Sequence, residues 1–223
     1  MSTVYLHEFL TTSSVDVTSL VPDVGTYVMG GIDLMFTTTS GSGYCWPPYG
    51  NGGHLHTAYS EPGVVGDLGT SIRYKWKTSL GGSTLVAGVR CSMTFANTSY
   101  GLEMNHANGE LSLRRELSGV NTVLATTVLS VALDTWCDLE LVRRNTNTGS
   151  QTIEGWWNGS RVLAPVSDTS LGNGLSTYYS YNDAGSSTST TGIHIDTFRV
   201  RDDLPTVSSL RTIIRGIARG KAR

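Results

Sequence analysis

Apolar and polar side chains alternate at every second residue through most of this chain, which predicts β-strands. In the run from Ser71 to Lys77, Ile72, Tyr74 and Trp76 share one face while Arg73, Lys75 and Lys77 share the other. Further strands are predicted for Val4–Leu10, Ile32–Phe36, Leu85–Phe95, Gly101–Met104, Glu110–Arg115, Val120–Val131 and Thr135–Arg144. Asn108-Gly109 and Asn158-Gly159 each lie between two such runs. Asn-Gly tolerates the two positive φ angles of a type I′ turn, so each marks a hairpin. In the closing strand, Ile193, Ile195 and Thr197 point one way and His194, Asp196, Phe198 and Val200 the other. That order breaks the apolar alternation near Phe198 and predicts a β-bulge there.

Three segments depart from the pattern. Pro22-Asp-Val-Gly reads as a turn, and Tyr27-Val-Met leads into Gly30-Gly31. Ser40–Gly69 carries so many Gly and Pro residues that a long irregular loop is expected, a place where binding is often built. Beyond Pro205 the period changes from two to 3.6. Leu210, Ile213, Ile214 and Ile217 recur at i, i+3, i+4 and i+7, with Arg211, Arg215 and Arg219 on another face. A short amphipathic helix is predicted there, with Ser208 or Ser209 as its N-cap. A helix this short is marginal alone in water, so its apolar stripe needs a surface: its own sandwich or a partner.

Composition agrees with many short strands: the chain has 223 residues, 26 of them Gly, and only 15% are charged. This length suits one substantial β domain, placed at 1–203, followed by an anchor at 204–223. The net charge of −2 conceals a division, because residues 1–203 hold all 18 acids whereas 204–223 hold five Lys or Arg and no acid. The tail is thus a separate electrostatic object. Neither nucleic acid nor membrane is the expected partner, since five cations without interleaved aromatics follow an acidic body. No apolar run is long enough to span a bilayer, and the first residues lack the basic and apolar regions of a signal peptide. Cys45, Cys91 and Cys137 form no C-x-x-C spacing and read as buried thiols of a reducing compartment.

The order of elements resembles the concanavalin A-like or laminin G-like jelly roll of phage structural proteins. The matching residues are Gly101–Met104 with Glu110–Leu113, Asp134–Leu141, Trp156–Leu163 and Ile195–Val200. Pro22-Asp-Val-Gly resembles an early turn of such domains. The resemblance implies an all-β antiparallel sandwich. With the sticky tail, it implies a non-enzymatic virion structural protein, a capsid decoration or fibre-like subunit assembled in the host cytoplasm. Its partners would be other virion proteins and sister subunits, docked through Leu210, Ile213, Ile214, Ile217, Arg211 and Arg215. The alternative is a stand-alone carbohydrate-binding module, or more remotely a glycoside hydrolase.

Candidate chemistry is sparse. The Glu-x-Asp-x-x-Glu arrangement of retaining glucanases, two carboxyls flanking one glycosidic bond, is absent. Asp138 and Glu140 share one face of a strand, and the plain reading is a solvated polar face. Gly-x-Ser-x-Gly, Walker and dinucleotide fingerprints are absent too. His54 and His56 have the spacing of a metal pair but no third ligand beside them. No cofactor is expected, although laminin G-like domains often bind calcium and Asp67, Asp168 and Asp183 lie in loops. The candidate glycan site is the Gly/Pro-rich loop, where Trp46, Tyr49 and Tyr59, with Tyr44, offer flat rings beside His54 and His56. The same rings would serve equally to pack the loop, and Tyr178, Tyr179 and Tyr181 share that ambiguity.

Overall fold

The computed structural model describes residues 3–7, 23, 37–38, 45–46, 52–60, 67–77, 85–94, 98–144, 150–182, 190–202 and 204. Among them the chain is all β, with no helix. The strands are β1 (Thr3–His7), β2 (Thr37–Thr38), β3 (Cys45–Trp46), β4 (Gly52–Ser60), β5 (Leu68–Trp76), β6 (Leu85–Met93) and β7 (Ser99–Asn105). They continue with β8 (Glu110–Leu117), β9 (Val120–Val128), β10 (Cys137–Arg144), β11 (Thr152–Trp157), β12 (Ser160–Ser167), β13 (Leu175–Asn182) and β14 (Ile193–Arg201). Two antiparallel sheets result. One runs β12-β11-β10-β5-β14-β3-β2, with β1 also paired to β14, and the other runs β4-β13-β6-β7-β8-β9.

Period-two patterning decides which side chains lie between the sheets. Ile72 and Tyr74 of β5, Leu139 and Leu141 of β10, and Phe198 and Val200 of β14 meet Ala87 and Val89 of β6, Leu102 and Met104 of β7, and Leu111 and Leu113 of β8. Each aliphatic side chain so buried contributes about 1.5–3 kcal/mol relative to exposure. Polar ties cross the same interior. Thr70 and Ser176 hydroxyls lie 3.0 Å apart, and the buried Arg143 guanidinium donates to Ser92 Oγ at 2.5 Å. Cys91 and Cys137 are both buried.

The hairpin at Asn158-Gly159 forms as expected, with φ of 48° and 74°. Asn158 also accepts the Asp138 amide through Oδ1 at 2.8 Å, which fastens the turn to β10. The β14 bulge is present but falls between Ile195 and Thr197. That slip returns Phe198 and Val200 to the core side with Ile193 and Ile195. Two expectations are corrected. Ser40–Gly69 contains the nine-residue strand β4, because Gly52 and Gly53 are followed by His-Leu-His-Thr-Ala-Tyr-Ser, which holds no strand breaker before Pro62. Nor is Glu140 on a solvated face: it is 7% exposed and clamped by Arg201. The amphipathic segment with Leu210, Arg211, Ile213, Ile214, Arg215 and Ile217 lies outside the described residues, as do most of Pro22–Gly25, Tyr27–Phe36, Tyr44, Tyr49 and Asp183.

Candidate functional site

Strand register brings charged positions from β5, β10 and β14, with Trp156 of β11, into adjacent rows on the outer face of the larger sheet. Asp138, Arg73 and Thr197 stand opposite one another in one row. Trp156, Glu140, Ser71, Arg199 and Leu6 make the next. These residues line a groove of about 370 Å³ together with Gly159 and Arg201. Cavities of this order accommodate small ligands.

The groove floor is built from a fully engaged ion pair. Arg201 donates Nε to Glu140 Oε1 and Nη2 to Oε2, both at 2.7 Å, the bidentate geometry that suits a carboxylate. Gly69 makes room for it. A Cβ there would sit 2.6 Å from Glu140 Oε1 and 2.9 Å from Leu204 Cδ2. Beside the pair, Trp156 is 3% exposed, and its indole N–H donates to Glu154 Oε2 at 2.8 Å. Glu154 also faces Arg144 at 3.2 Å and Arg161 at 3.6 Å. That carboxylate is likewise spoken for.

Two charges in the groove are differently placed. Among the described residues, neither the Arg199 guanidinium nor the Asp138 carboxylate has an ion-pair or hydrogen-bond partner, and Asp138 is exposed. Arg73 lies 3.7 Å from Asp196 at the mouth and 5.9 Å from the Trp136 ring centre, on which Lys75 rests at 4.8 Å. The site therefore presents a planar five-donor group and an acceptor-only group within one cavity.

A second polar cluster closes one end of the sandwich. Tyr100 donates to Asp168 Oδ1 at 2.7 Å and accepts from the Leu171 amide at 3.1 Å and from Gln151 Nε2 at 3.3 Å. Arg115 meets Asp168 Oδ2 at 2.7 Å. Burial pushes the Asp168 carboxyl up, but hydrogen bonds from Tyr100 and Ser170 and the charge of Arg115 outweigh it, and the carboxyl sits below its ordinary value. Burial above all, and Asp168 beside it, keep the Tyr100 phenol protonated well past its usual range. Every group here is committed internally, so this is a latch on the β12–β13 connection.

The described loop residues expected to bind sugar fall on two different strands. Trp46 is in β3, paired through Thr37 and next to β14, whereas His54, His56 and Tyr59 are in β4, opposite Ser180, Tyr178 and Ser176 of β13. They belong to different sheets. Tyr178 is a core residue packed on Phe198, ring centres 5.0 Å apart. Of the loop acids, Asp168 is held in the latch and Asp67 lies 3.7 Å from Arg144. No group of three His, Cys, Asp or Glu side chains converges among the described residues. Period two in the sequence singles out Asp138, Glu140 and the Arg73 face but not Arg199. Its signal was the pair of cations at alternate positions of β14, legible only once β14 is known to lie against β5.

The sequence matches no protein-family model and no curated protein. Among solved structures the chain is similar to the Emp46p carbohydrate recognition domain in its metal-free form, with TM-score 0.54 and 8% identity over 72% of this chain and 83% of that one. The potassium-bound form gives TM-score 0.54 and 9% identity over 73% and 84%. The carbohydrate-binding module CBM66 from Bacillus subtilis gives TM-score 0.49 and 10% identity over 79% and 95%. At such identity the likeness is one of fold: a jelly-roll sandwich of the concanavalin A-like kind.

Proposed function

We propose that this chain is a non-enzymatic carbohydrate-binding sandwich whose ligand lies in the groove between Asp138 and Arg199. The observation that carries this reading is the coexistence, in one cavity, of an acceptor and a donor fork that no other described residue uses. Sugar hydroxyls both donate and accept, so a carboxylate and a guanidinium lining one groove can engage different hydroxyls of the same ligand. The sandwich shared with a carbohydrate recognition domain supports this reading at the level of fold. Binding without hydrolysis is favoured because glycoside cleavage calls on two carboxyl groups, and Glu140 is bound on both oxygens by Arg201, which leaves Asp138 alone.

Arg199→Ala and Asp138→Asn are each expected to weaken binding of the best ligand on a glycan array by roughly 10–100-fold, the loss of one or two charge-assisted hydrogen bonds. Trp46→Ala and His54→Ala would leave it unchanged. Loss of binding in the Trp46 variant alone would move the site to Trp46. Absence of binding to any sugar would sink the reading.

A finer placement, as a capsid decoration or fibre-like subunit, is supported by charge segregation: a body of net −7 precedes a tail with five cations and an apolar stripe. The tail would dock on other virion proteins, with the sandwich displayed outward. Light scattering at moderate salt is expected to show the full chain assembled and a chain ending at Asp203 less so. Equal masses would remove the tail from assembly.

A further inference from the structure

Charge in the groove runs against the charge of the body around it. Residues 1–203 carry 11 Lys and Arg against 18 acids, whereas the groove is lined by Arg73, Arg199 and Arg201 against Asp138 and Glu140 alone. Arg201 and Glu140 neutralise each other, with both contacts at 2.7 Å. The other two guanidinium groups are not matched in this way. Arg73 lies 3.7 Å from Asp196, and side-chain exposures of 51% and 34% leave that pair open to water, where it contributes little. Arg199 is half-buried and has no ion-pair partner among the described residues. Register sets the two close together on one face. Arg199 stands opposite Ser71 of β5, and Arg73 is two residues farther along that strand, a step of about 7 Å. The same face of β5 continues with Lys75 and Lys77, which share the single carboxylate of Asp134 at 2.9 and 3.8 Å. Trp136 braces this row from the side, its ring centre 5.9 Å from the Arg73 guanidinium and 4.8 Å from Lys75 Nζ.

We infer that the ligand of this groove is an acidic sugar, a uronate unit whose carboxylate is held by Arg199 and Arg73 while its ring hydroxyls donate to Asp138. The inference rests on the reading of the groove as a sugar site and names the class of sugar. A neutral ring would fill the cavity and leave the half-buried Arg199 without a counter-charge as water is displaced. A carboxylate supplies that charge, and its two oxygens fit the planar fork of a guanidinium. Asp138 decides between the two common anionic groups of sugars. An ionised carboxylate only accepts, so it needs hydroxyl donors on the ligand. A uronate carries its charge at the exocyclic carbon and keeps its ring hydroxyls. Sulfation instead replaces a donor with an acceptor that Asp138 repels. Lys75 and Lys77 lie farther along the same strand, where the next acidic unit of a short polyuronate would come.

The test uses the full chain and calorimetric titration with trimers of galacturonate, glucuronate and mannuronate, each beside its methyl ester, which keeps the rings and hydroxyls and removes the charge. At least one acid trimer is expected to bind roughly 10-fold or more tightly than its ester. That advantage should shrink between about 50 and 300 mM NaCl, because the contact is between charges. Arg199→Gln is expected to bring the ratio of acid to ester affinity close to one. Arg73→Gln, at an exposed position where folding is not at issue, should reduce the same ratio. Equal binding of acid and ester, both weakened by Asp138→Asn, overturns the acidic assignment and leaves the groove as the sugar site. So does a neutral glycan that binds through Arg199 when no uronate trimer binds. Tighter binding of 6-sulfated trigalactose than of any uronate trimer overturns the carboxylate. Absence of binding to any sugar, charged or neutral, removes the underlying reading and this inference with it.

Discussion

Tyr100→Phe is expected to lower the free energy of unfolding by about 3 kcal/mol, because it deletes one hydrogen bond to a carboxylate and strands a buried amide. The phenol oxygen uses its full capacity, donating to Asp168 and accepting from Leu171 and Gln151. Phenylalanine preserves the ring packing, so the loss isolates the oxygen. Gln151 retains the Asp168 and Leu171 carbonyls, at 2.9 and 3.3 Å, and Asp168 retains Arg115 and the Ser170 amide. The Leu171 N–H has no such second acceptor in the cluster. For a domain of this size the deficit corresponds to a fall in Tm of roughly 6–12 °C. Urea denaturation at neutral pH measures it directly. A change under about 0.5 kcal/mol, the range of ordinary surface substitutions, would mean that the latch contributes nothing to global stability.

That latch also shows what a linear reading of this chain misses. Tyr100 alternates correctly as a core residue of β7, and the sequence gives no sign that its oxygen ends beside an aspartate 68 positions away. Local signals were legible where physics is local: Asn158-Gly159 imposes its own φ angles, and the alternation in β5 and β10 sorts their side chains without knowledge of neighbours. Asp138 and Glu140 mark the boundary. Their common face follows from period two, but their opposite fates depend on Arg201 reaching across Gly69 from β14. β4 was hidden for another reason. Its flanks are rich in Gly and Pro, and the pairing with β13 that makes it a strand is non-local. The groove combines both limits, since Arg199 and Asp138 come to line one cavity only through the register of β14 on β5 and of β5 on β10.

Acid is expected to destabilise the fold before its carboxylates titrate, through His106. This side chain follows β7 and stacks on Trp76, ring centres 4.8 Å apart, with Nε2 3.1 Å from the Tyr74 hydroxyl. Tyr74 in turn meets the edge of Trp157, so the imidazole sits in an aromatic corner between the sheets. Burial holds its pKa down at about 3, against 6.5 for an ordinary histidine. Nδ1 is buried with no hydrogen-bond partner among the described residues, and a protonated ring must donate from both nitrogens. Because the folded pKa lies below the unfolded one, the unfolded chain binds the proton first as pH falls. The stability is complete above about pH 6.5 and is lost progressively toward pH 3, at most ~1.4 kcal/mol per pH unit. By linkage this removes about 2 kcal/mol near pH 5 and roughly 4 kcal/mol near pH 3.5. His106→Gln replaces the titrating ring with an amide that never charges. It is expected to be less stable than wild type at neutral pH, where the stacking on Trp76 is lost, and to close that gap as pH falls from 6.5. Urea midpoints at half-unit intervals between pH 7 and pH 4 give the difference curve. Parallel curves would assign the acid sensitivity to other groups, and convergence in this window places it on the His106 imidazole.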